Sequence, residues 1–221
     1  QSGASIVRLA ASHVQGGTLG GLINFRDTSL DGAQNALGRV ATGLAQSFNG
    51  QHALGQDLYG ALGTPFFSVA SPTVMPGSSN AGTAAVAAAL QNADALTTSD
   101  YRLRYNGNAG GNENFQLTRI ADGTNSSIAF PAASGYPFTI NTDGVSIVIP
   151  AGAVLHDSWV IQPTRAGATQ FGVVLKDPAT IAAASPVRTI AALSNSGNAT
   201  ISAGGVSSAA SLPLAMAVTL I

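Results

Sequence analysis

The chain has 221 residues, a formal net charge of −1 and only 9% charged residues. An average soluble domain carries about 25% charged residues, so the low charge and the lack of a basic or acidic block argue against nucleic acids and anionic membranes as partners. The chain contains no cysteine, which excludes disulfides, thiolate zinc sites and a cysteine nucleophile.

The length predicts one or two domains at about 150 residues per domain. Because a free globular protein usually keeps a charged surface, the composition indicates one of two situations. The chain is either a surface-exposed or secreted bacterial module, or a subunit whose surface is largely covered by identical copies. The longest strictly apolar run, 84–90, is too short for a membrane helix of about 20 residues, and the first twelve residues lack the pattern of a cleaved signal peptide.

The first elements in chain order are a short strand at Ser5–Leu9, a glycine-rich stretch at 16–27 and a helix from Leu30 to His52. The helix has apolar residues at steps of three and four, which places them on one face. These residues are Leu30, Ala33, Leu37, Val40, Ala41, Leu44, Ala45 and Phe48. Ser29 or Asp31 is a candidate cap for its start, and Gly50 and Gly55 bracket its end.

Two properties of this helix are unusual. It contains three internal glycines at 32, 38 and 43, each of which costs roughly 1 kcal/mol relative to alanine. The side opposite the apolar residues carries amides and one threonine, with Arg39 as its single positive charge. Because a solvated helix side normally carries several charges, we expect both sides to pack, and we expect the glycines to permit close helix approach.

After a turn-rich stretch, a boundary is predicted near 72–76, followed by an alanine-rich segment at 81–95 that is either a short helix or irregular. From Tyr101 onward the period becomes two, and a loop at 106–114 predicts a hairpin. Seven short strands in about 75 residues predict an antiparallel β-sandwich or partly open barrel. The predicted strands are Tyr101–Tyr105, Phe115–Ala121, Ser127–Phe130, Phe138–Asn141, Val145–Ile149, Ser158–Pro163 and Phe171–Leu175.

A short helical stretch is predicted at Asp177–Ser185, and strands of a further β-module at Asn198–Ser202 and Met216–Ile221. The predicted fold class is therefore α+β and mainly β. Its expected domains are a helical part at 1–75, a β-domain at 76–185 and an incomplete β-module at 186–221. Because the chain ends inside an apolar, strand-like run, we expect it to be a fragment of a longer protein.

No motif of enzyme chemistry is present. The three histidines, at 13, 52 and 156, are far apart and lack the spacing of a zinc site. The chain has no nucleophile elbow, phosphate loop or dinucleotide fingerprint. We therefore expect no catalytic residues, no metal and no cofactor.

Three stretches carry a resemblance to a known family: 16–27 (GGTLGGLINFRD), 30–52 (LDGAQNALGRVATGLAQSFNGQH) and 57–67 (DLYGALGTPFF). In order and spacing they resemble the hook-associated protein 1 family of the bacterial flagellum, in which a glycine-rich turn leads into a helix of the stalk domain. The stretches 96–106 and 115–119 are similar to the first hairpin of the family's outer domain. The stretch 154–163 is similar to a later strand of that domain.

The resemblance implies a structural subunit at the junction between hook and filament, which acts as a mechanical adaptor. It implies a middle part of the protein: a remnant of the helical stalk domain, one outer β-domain and the beginning of another, without the terminal helices. The implied partners are other copies of the chain, the hook protein and the next junction protein. The implied location is the extracellular flagellum, reached without a cleaved signal peptide.

The residues expected to form the packing surface between subunits are Leu30, Leu37, Val40, Leu44 and Phe48. Without terminal helices this segment alone is expected to be monomeric. Two other functional classes are alternatives. An adhesin-like β binding module fits the Ser-, Thr- and Asn-rich loops and is compatible with the first hypothesis. A hydrolase grafted on the outer domain would require a carboxylate pair or a histidine cluster.

Overall fold

The computed structural model describes residues 16–191 and, after them, 193, 194, 196–198, 200, 202, 204–208 and 210. The chain divides into two compact units. The first contains the residues up to 41 together with 70–169, and the second contains 42–69 together with the residues from 170 onward. The predicted strands at Ser5–Leu9 and Met216–Ile221 lie outside the described residues. Two positions of a third predicted strand, Asn198–Ser202, also lie outside them. The domain limits at 75 and 185 stay predictions.

The helical part consists of α1 (Gly17–Phe25), a π-helical turn (Arg26–Leu30) and α2 (Asp31–His52). The long predicted helix is therefore present, but the glycine-rich stretch before it is helical and not a turn. Phe25 and Asp31 both have right-handed helical backbone angles. Neither Ser29 nor Asp31 caps α2, because a cap has non-helical backbone angles and here the helical backbone continues upstream.

Eight strands, all of them in the first unit, form two antiparallel sheets. They are β1 (Thr73–Pro76), β2 (Ala87–Leu90), β3 (Tyr101–Ala109), β4 (Asn112–Arg119), β5 (Asn125–Pro131), β6 (Phe138–Thr142), β7 (Val145–Ile149) and β8 (Ser158–Gln162). One sheet has the order β1-β8-β3-β4-β5, and the other has the order β2-β7-β6. The predicted class, α+β and mainly antiparallel β, is confirmed.

Two hairpins are set by residues that tolerate a left-handed backbone. Gly110 and Gly111 join β3 to β4 with φ of 60° and 81°, and Asp143 and Gly144 join β6 to β7 with φ of 44° and 75°. Positive φ at both central residues matches the twist of the flanking strands, so such two-residue turns fix the strand register. The predicted loop at 106–114 is accordingly shorter than expected, because β3 and β4 run almost to its centre.

Three stretches differ from their predictions. The alanine-rich segment contains β2, which pairs with β7, because β7, buried at four of its five positions, needs a neighbour on each edge. The predicted boundary at 72–76 contains β1, which pairs with β8. The predicted strand Phe171–Leu175 makes a single bridge, between Phe67 and Val173. The predicted helix at 177–185 is reduced to one turn, Pro178–Thr180.

The inner faces of the two sheets share one apolar core. In β3 every second residue is buried, from Tyr101 through Leu103 to Tyr105, as the strand period requires. The largest fully buried side chains include Trp159 of β8 and Phe115 of β4. The core extends through Phe130, which stacks on Phe138 of the smaller sheet at 4.0 Å between ring centroids. Apolar burial between the sheets therefore holds the β-domain together.

One buried carboxylate organises the loops beside this core. Asp157 is 2% exposed and accepts hydrogen bonds from the backbone N–H groups of Val154, Ala81 and Gly82 at 2.8, 2.8 and 3.0 Å. Burial alone would raise the pKa of Asp157, but these three donors outweigh it and hold the pKa below its usual value. A carboxylate that accepts several N–H groups in this way favours its charged form.

Asp157→Asn removes the charge and one acceptor oxygen, and we expect it to lower the free energy of unfolding by about 1–3 kcal/mol at neutral pH. Because the folded-state pKa of Asp157 is depressed, its contribution is full above the unfolded-state pKa and is lost as pH falls through the folded-state pKa. Urea unfolding from pH 7 down to pH 3 should therefore show a shallower loss of stability in the variant. Asp94→Asn, at an exposed turn, is the control. If the two variants had the same unfolding free energy at every pH, the stabilising role of the Asp157 carboxylate would be contradicted.

Candidate functional site: the two sides of helix α2

Helix α2 exposes its apolar side to solvent. The five predicted packing residues, four in α2 and one just before it, are between 41% and 67% exposed. Their exposed fractions are Leu30 53%, Leu37 62%, Val40 67%, Leu44 54% and Phe48 41%. We call these five residues the apolar stripe. Ala45, which the periodicity placed on the same side, is instead fully buried. Single exposed apolar residues are ordinary, but a continuous row of them marks an interaction surface.

The polar side of α2 is the buried one. In the first unit Asn35 is only 3% exposed. Its amide nitrogen donates to the backbone oxygen of Thr98 at 3.1 Å and to Oδ1 of Asp100 at 3.0 Å. These bonds join the helix to the segment that enters β3. This burial explains why the polar side of α2 carries amides and few charges. A buried amide whose N–H groups are hydrogen-bonded costs far less free energy than a buried charge.

Arg165 joins the start of α2 to the same segment. One guanidinium nitrogen lies 2.7 Å from Oδ1 of Asp31, and another lies 2.6 Å from Oδ2 of Asp100. Gln162 donates to the same Asp100 oxygen at 3.1 Å. Charge-assisted bonds of this kind are stronger than neutral ones. Asp31 therefore serves as an anchor for α2 and not as its cap.

Gly38 lies directly against the backbone of the loop after β8. A Cβ built on Gly38 would lie 1.8 Å from the backbone oxygen of Thr164. The glycines at 32 and 43 have no atom within 4 Å of such a Cβ. The expectation that the glycines permit close packing therefore holds for Gly38 alone, and its neighbour is a loop after β8 and not another helix.

In the second unit the end of α2 is held by His52, which is 5% exposed. Its Nδ1 lies 2.7 Å from the backbone oxygen of Thr64, and its Nε2 accepts from the N–H of Ala182 at 2.9 Å. Since Nδ1 faces a carbonyl and Nε2 faces an N–H, the ring is the neutral tautomer with the proton on Nδ1. His52 is thus a buried structural histidine that ties together three separate segments.

Asn49, one turn earlier, fixes the segment that follows α2. Its side-chain oxygen accepts from the N–H groups of Phe66 and Phe67 at 2.8 and 2.9 Å, and its nitrogen donates to the backbone oxygen of Phe67 at 2.8 Å. The rings of Phe66 and Phe67 then pack beside Phe48, at 4.9 and 5.1 Å between centroids. This contact explains why Phe48 is the least exposed member of the apolar stripe.

The other two histidines, at 13 and 156, are the remaining candidates for a metal or catalytic site. His13 lies outside the described residues, while Nδ1 of His156 lies 2.9 Å from a guanidinium nitrogen of Arg104. Among the residues that the structure describes, no group of three or more histidines and carboxylates could hold a metal ion. Within the same residues, no helix combines the length and apolarity that crossing a membrane requires.

Sequence periodicity identified the apolar stripe but not the anchoring residues. Asp100, Gln162 and Arg165 are far from α2 in sequence, and nothing in their local pattern marks them as its contacts. The one available signal was the missing charge on the polar side of α2, which indicated that this side is covered without showing by what.

The glycines of α2 provide a direct test of these contacts. Gly38→Ala forces the helix away from Thr164, so we expect the free energy of unfolding to fall by about 2 kcal/mol or more. Gly43→Ala places its methyl group in open space and should raise stability by up to about 1 kcal/mol through helix propensity. Denaturant unfolding followed by circular dichroism measures both. Effects of the same sign at both positions would contradict the proposed close approach.

Comparison with known proteins agrees with this architecture. Residues 2–67 match the profile of the flagellar hook-associated protein FlgK helical domain, and residues 75–163 match that of the flagellar hook-associated protein 1 D2-like domain. The flagellar hook-associated protein 1 of Escherichia coli K12 is 32% identical over 169 residues, which are 76% of this chain and 29% of that protein. The Salmonella typhimurium protein of the same name is 34% identical over 170 residues, again 76% and 29%.

A solved structure is similar over more of the chain. The flagellar hook junction protein FlgK from Burkholderia pseudomallei superimposes with a TM-score of 0.77 at 34% identity, covering 90% of this chain and 35% of that one. The chain thus spans about 29% of the length of the curated relatives it matches. Two adjoining domain profiles, the sequence relatives and the shared fold agree, and the chain belongs to the flagellar hook-associated protein 1 family.

Proposed function

We propose that this chain is part of a structural subunit at the junction between the flagellar hook and filament, and that its action is mechanical. Subunit contacts transmit torque from one tube to the next, and no chemical turnover is involved. The observation that carries the proposal is helix α2, whose polar side is buried within its own chain while its apolar stripe is exposed. Family membership supports the location, which would be the extracellular flagellum.

The apolar stripe is the packing surface in this proposal. Full burial of an exposed leucine or valine contributes about 1.5–3 kcal/mol, so covering the row would stabilise a helix–helix contact by several kcal/mol. The side chains at 37, 40, 44 and 48 follow one another at steps of three and four residues, which is the spacing of a helix-packing seam. The partners that would cover it are helices elsewhere in the complete protein and in neighbouring subunits.

In an assembled junction the neighbours would be other copies of the chain, the hook protein and the next junction protein. The sparse charge fits this arrangement, since a surface that is covered by neighbours needs few charges for solubility. Within the described residues the stripe is still between 41% and 67% exposed, and this part of the protein is expected to be monomeric by itself.

Replacing two leucines of the stripe tests the proposal. We expect Leu37→Ser with Leu44→Ser, in the full-length protein, to abolish recruitment to the junction, so that cells carry hooks without filaments. Fluorescent labelling of the protein and electron microscopy of hooks provide the measurement. The matched control is Val154→Ser, because Val154 is 45% exposed but lies in a loop of the β-domain. Normal filaments and motility in the double variant would refute the role of the stripe.

A further inference from the structure

Two arginines lie side by side on the outer face of the five-stranded sheet. Arg102 and Arg104 point away from the core in β3, where they alternate with buried residues. Residues two apart in a strand are separated by about 7 Å, so their charges reinforce each other. Among the described residues, neither forms a salt bridge. We call Arg102 and Arg104 the basic patch.

The neighbours of the basic patch are mixed, since Val160 of β8 stands opposite Arg102, and Nδ1 of His156 lies 2.9 Å from a guanidinium nitrogen of Arg104. Thr118 stands opposite Arg102, and Gln116 stands opposite Arg104, in the neighbouring strand β4. Arg102 also borders a cleft that contains Asp31 and Asp100, but Arg165 already binds both of those carboxylates. Guanidinium groups held on a rigid sheet are suited to bind carboxylates of a partner.

A patch of the opposite sign lies in the second unit. The loop after α2 presents Leu58 and Tyr59, which are 84% and 70% exposed. The carboxylate of Asp57 accepts from the N–H groups of Tyr59 and Ala61 at 2.9 and 2.8 Å. The hydroxyl of Tyr59 donates to Asp177 at 3.2 Å. We call Asp57, Leu58, Tyr59 and Asp177 the acidic patch.

Neither carboxylate of the acidic patch forms an ion pair within the part of the chain that the structure describes. Lys176 precedes Asp177 in sequence, yet within the described residues it forms no salt bridge with either carboxylate. The hydrogen bond to Asp177, followed by the negative charges of Asp177 and Asp57, raises the pKa of Tyr59. Two carboxylates thus lie beside this exposed tyrosine.

We propose that the acidic patch of one copy of this chain binds the basic patch of the next copy in the assembled flagellum. The argument is charge complementarity between two pairs of like charge. Arg102 and Arg104 form one pair and Asp57 and Asp177 the other, and none of the four forms a salt bridge within the described residues. Pairing between two different patches makes a heterologous contact, which repeats from subunit to subunit and so builds rings or tubes. Tyr59 adds a ring that can lie against an arginine, a pairing common in interfaces.

This pairing rests on the proposed function, because it requires neighbouring copies. It goes beyond the apolar stripe by naming a second contact, which lies outside the helices and sets which neighbour each copy meets. Charged contacts at a rim add specificity and orientation more than raw affinity.

Cross-linking between copies tests the pairing directly, since the chain has no cysteine of its own. Two full-length variants, Leu58→Cys and Thr118→Cys, are expressed in the same flagellated cells, so that a dimer can only arise between copies. We expect a short bismaleimide to give a cross-linked dimer in isolated flagella. Leu58→Cys together with Asn141→Cys, an exposed position in β6, is the control and should give none.

Charge removal provides the second measurement. Arg102→Gln with Arg104→Gln, and separately Asp57→Asn with Asp177→Asn, should each lower the cross-linking yield about three- to tenfold, the scale of two exposed ion pairs. Asparagine keeps an acceptor oxygen for the loop N–H groups, and circular dichroism checks that each variant is folded. If the patches contact each other, the four substitutions combined should have no more effect than either pair alone.

The outcomes separate the two proposals. A protein that reaches the junction but gives no dimer, or the same yield with the control pair, overturns the patch pairing and leaves the proposed function standing. Additive effects of the two charge-removing pairs also overturn it. Wild-type protein that is absent from the junction overturns the proposed function itself.

Discussion

Helix α2 is anchored to its own chain through hydrogen bonds and one backbone contact on its polar side. In the first unit Asn35 and Arg165 bind Asp100, and Gly38 meets the backbone of Thr164. In the second unit His52 and Asn49 bind backbone groups of the following segments. Because these groups require exact partners, they fix which side of α2 faces inward. The apolar stripe is left in solvent as a consequence.

This arrangement inverts the usual amphipathic helix, whose apolar side faces the core. The β-domain does not need the stripe, since its own core is formed by residues of the two sheets and includes Trp159, Tyr101 and Phe115. The two sides of α2 therefore differ: polar bonds on one side hold it against its own chain, and the apolar stripe on the other side is exposed. Under the proposed function, this is the division expected of a subunit that must fold and also assemble.

Sequence reasoning succeeded where the signal was local. The periods of α2 and of β3, and the turn at Asp143–Gly144, were each predicted from residues close together in the chain. It failed where tertiary pairing decided the outcome. The alanine-rich segment became β2 only because β7 needs a neighbour, and the glycine-rich stretch became helical as a continuation of α2. Arg165 could not be identified as an anchor, because its partners lie 134 and 65 positions away in sequence.

The central claim is that the apolar stripe is covered in the assembled protein, and thiol labelling measures this most directly. Leu37→Cys is introduced into the full-length protein, with Asn106→Cys on the exposed face of β3 as the reference. The account predicts that in isolated flagella a maleimide reagent labels the thiol at position 37 at least about tenfold more slowly than the thiol at position 106, because neighbouring helices bury position 37. Equal labelling rates at the two positions in assembled flagella would contradict the account.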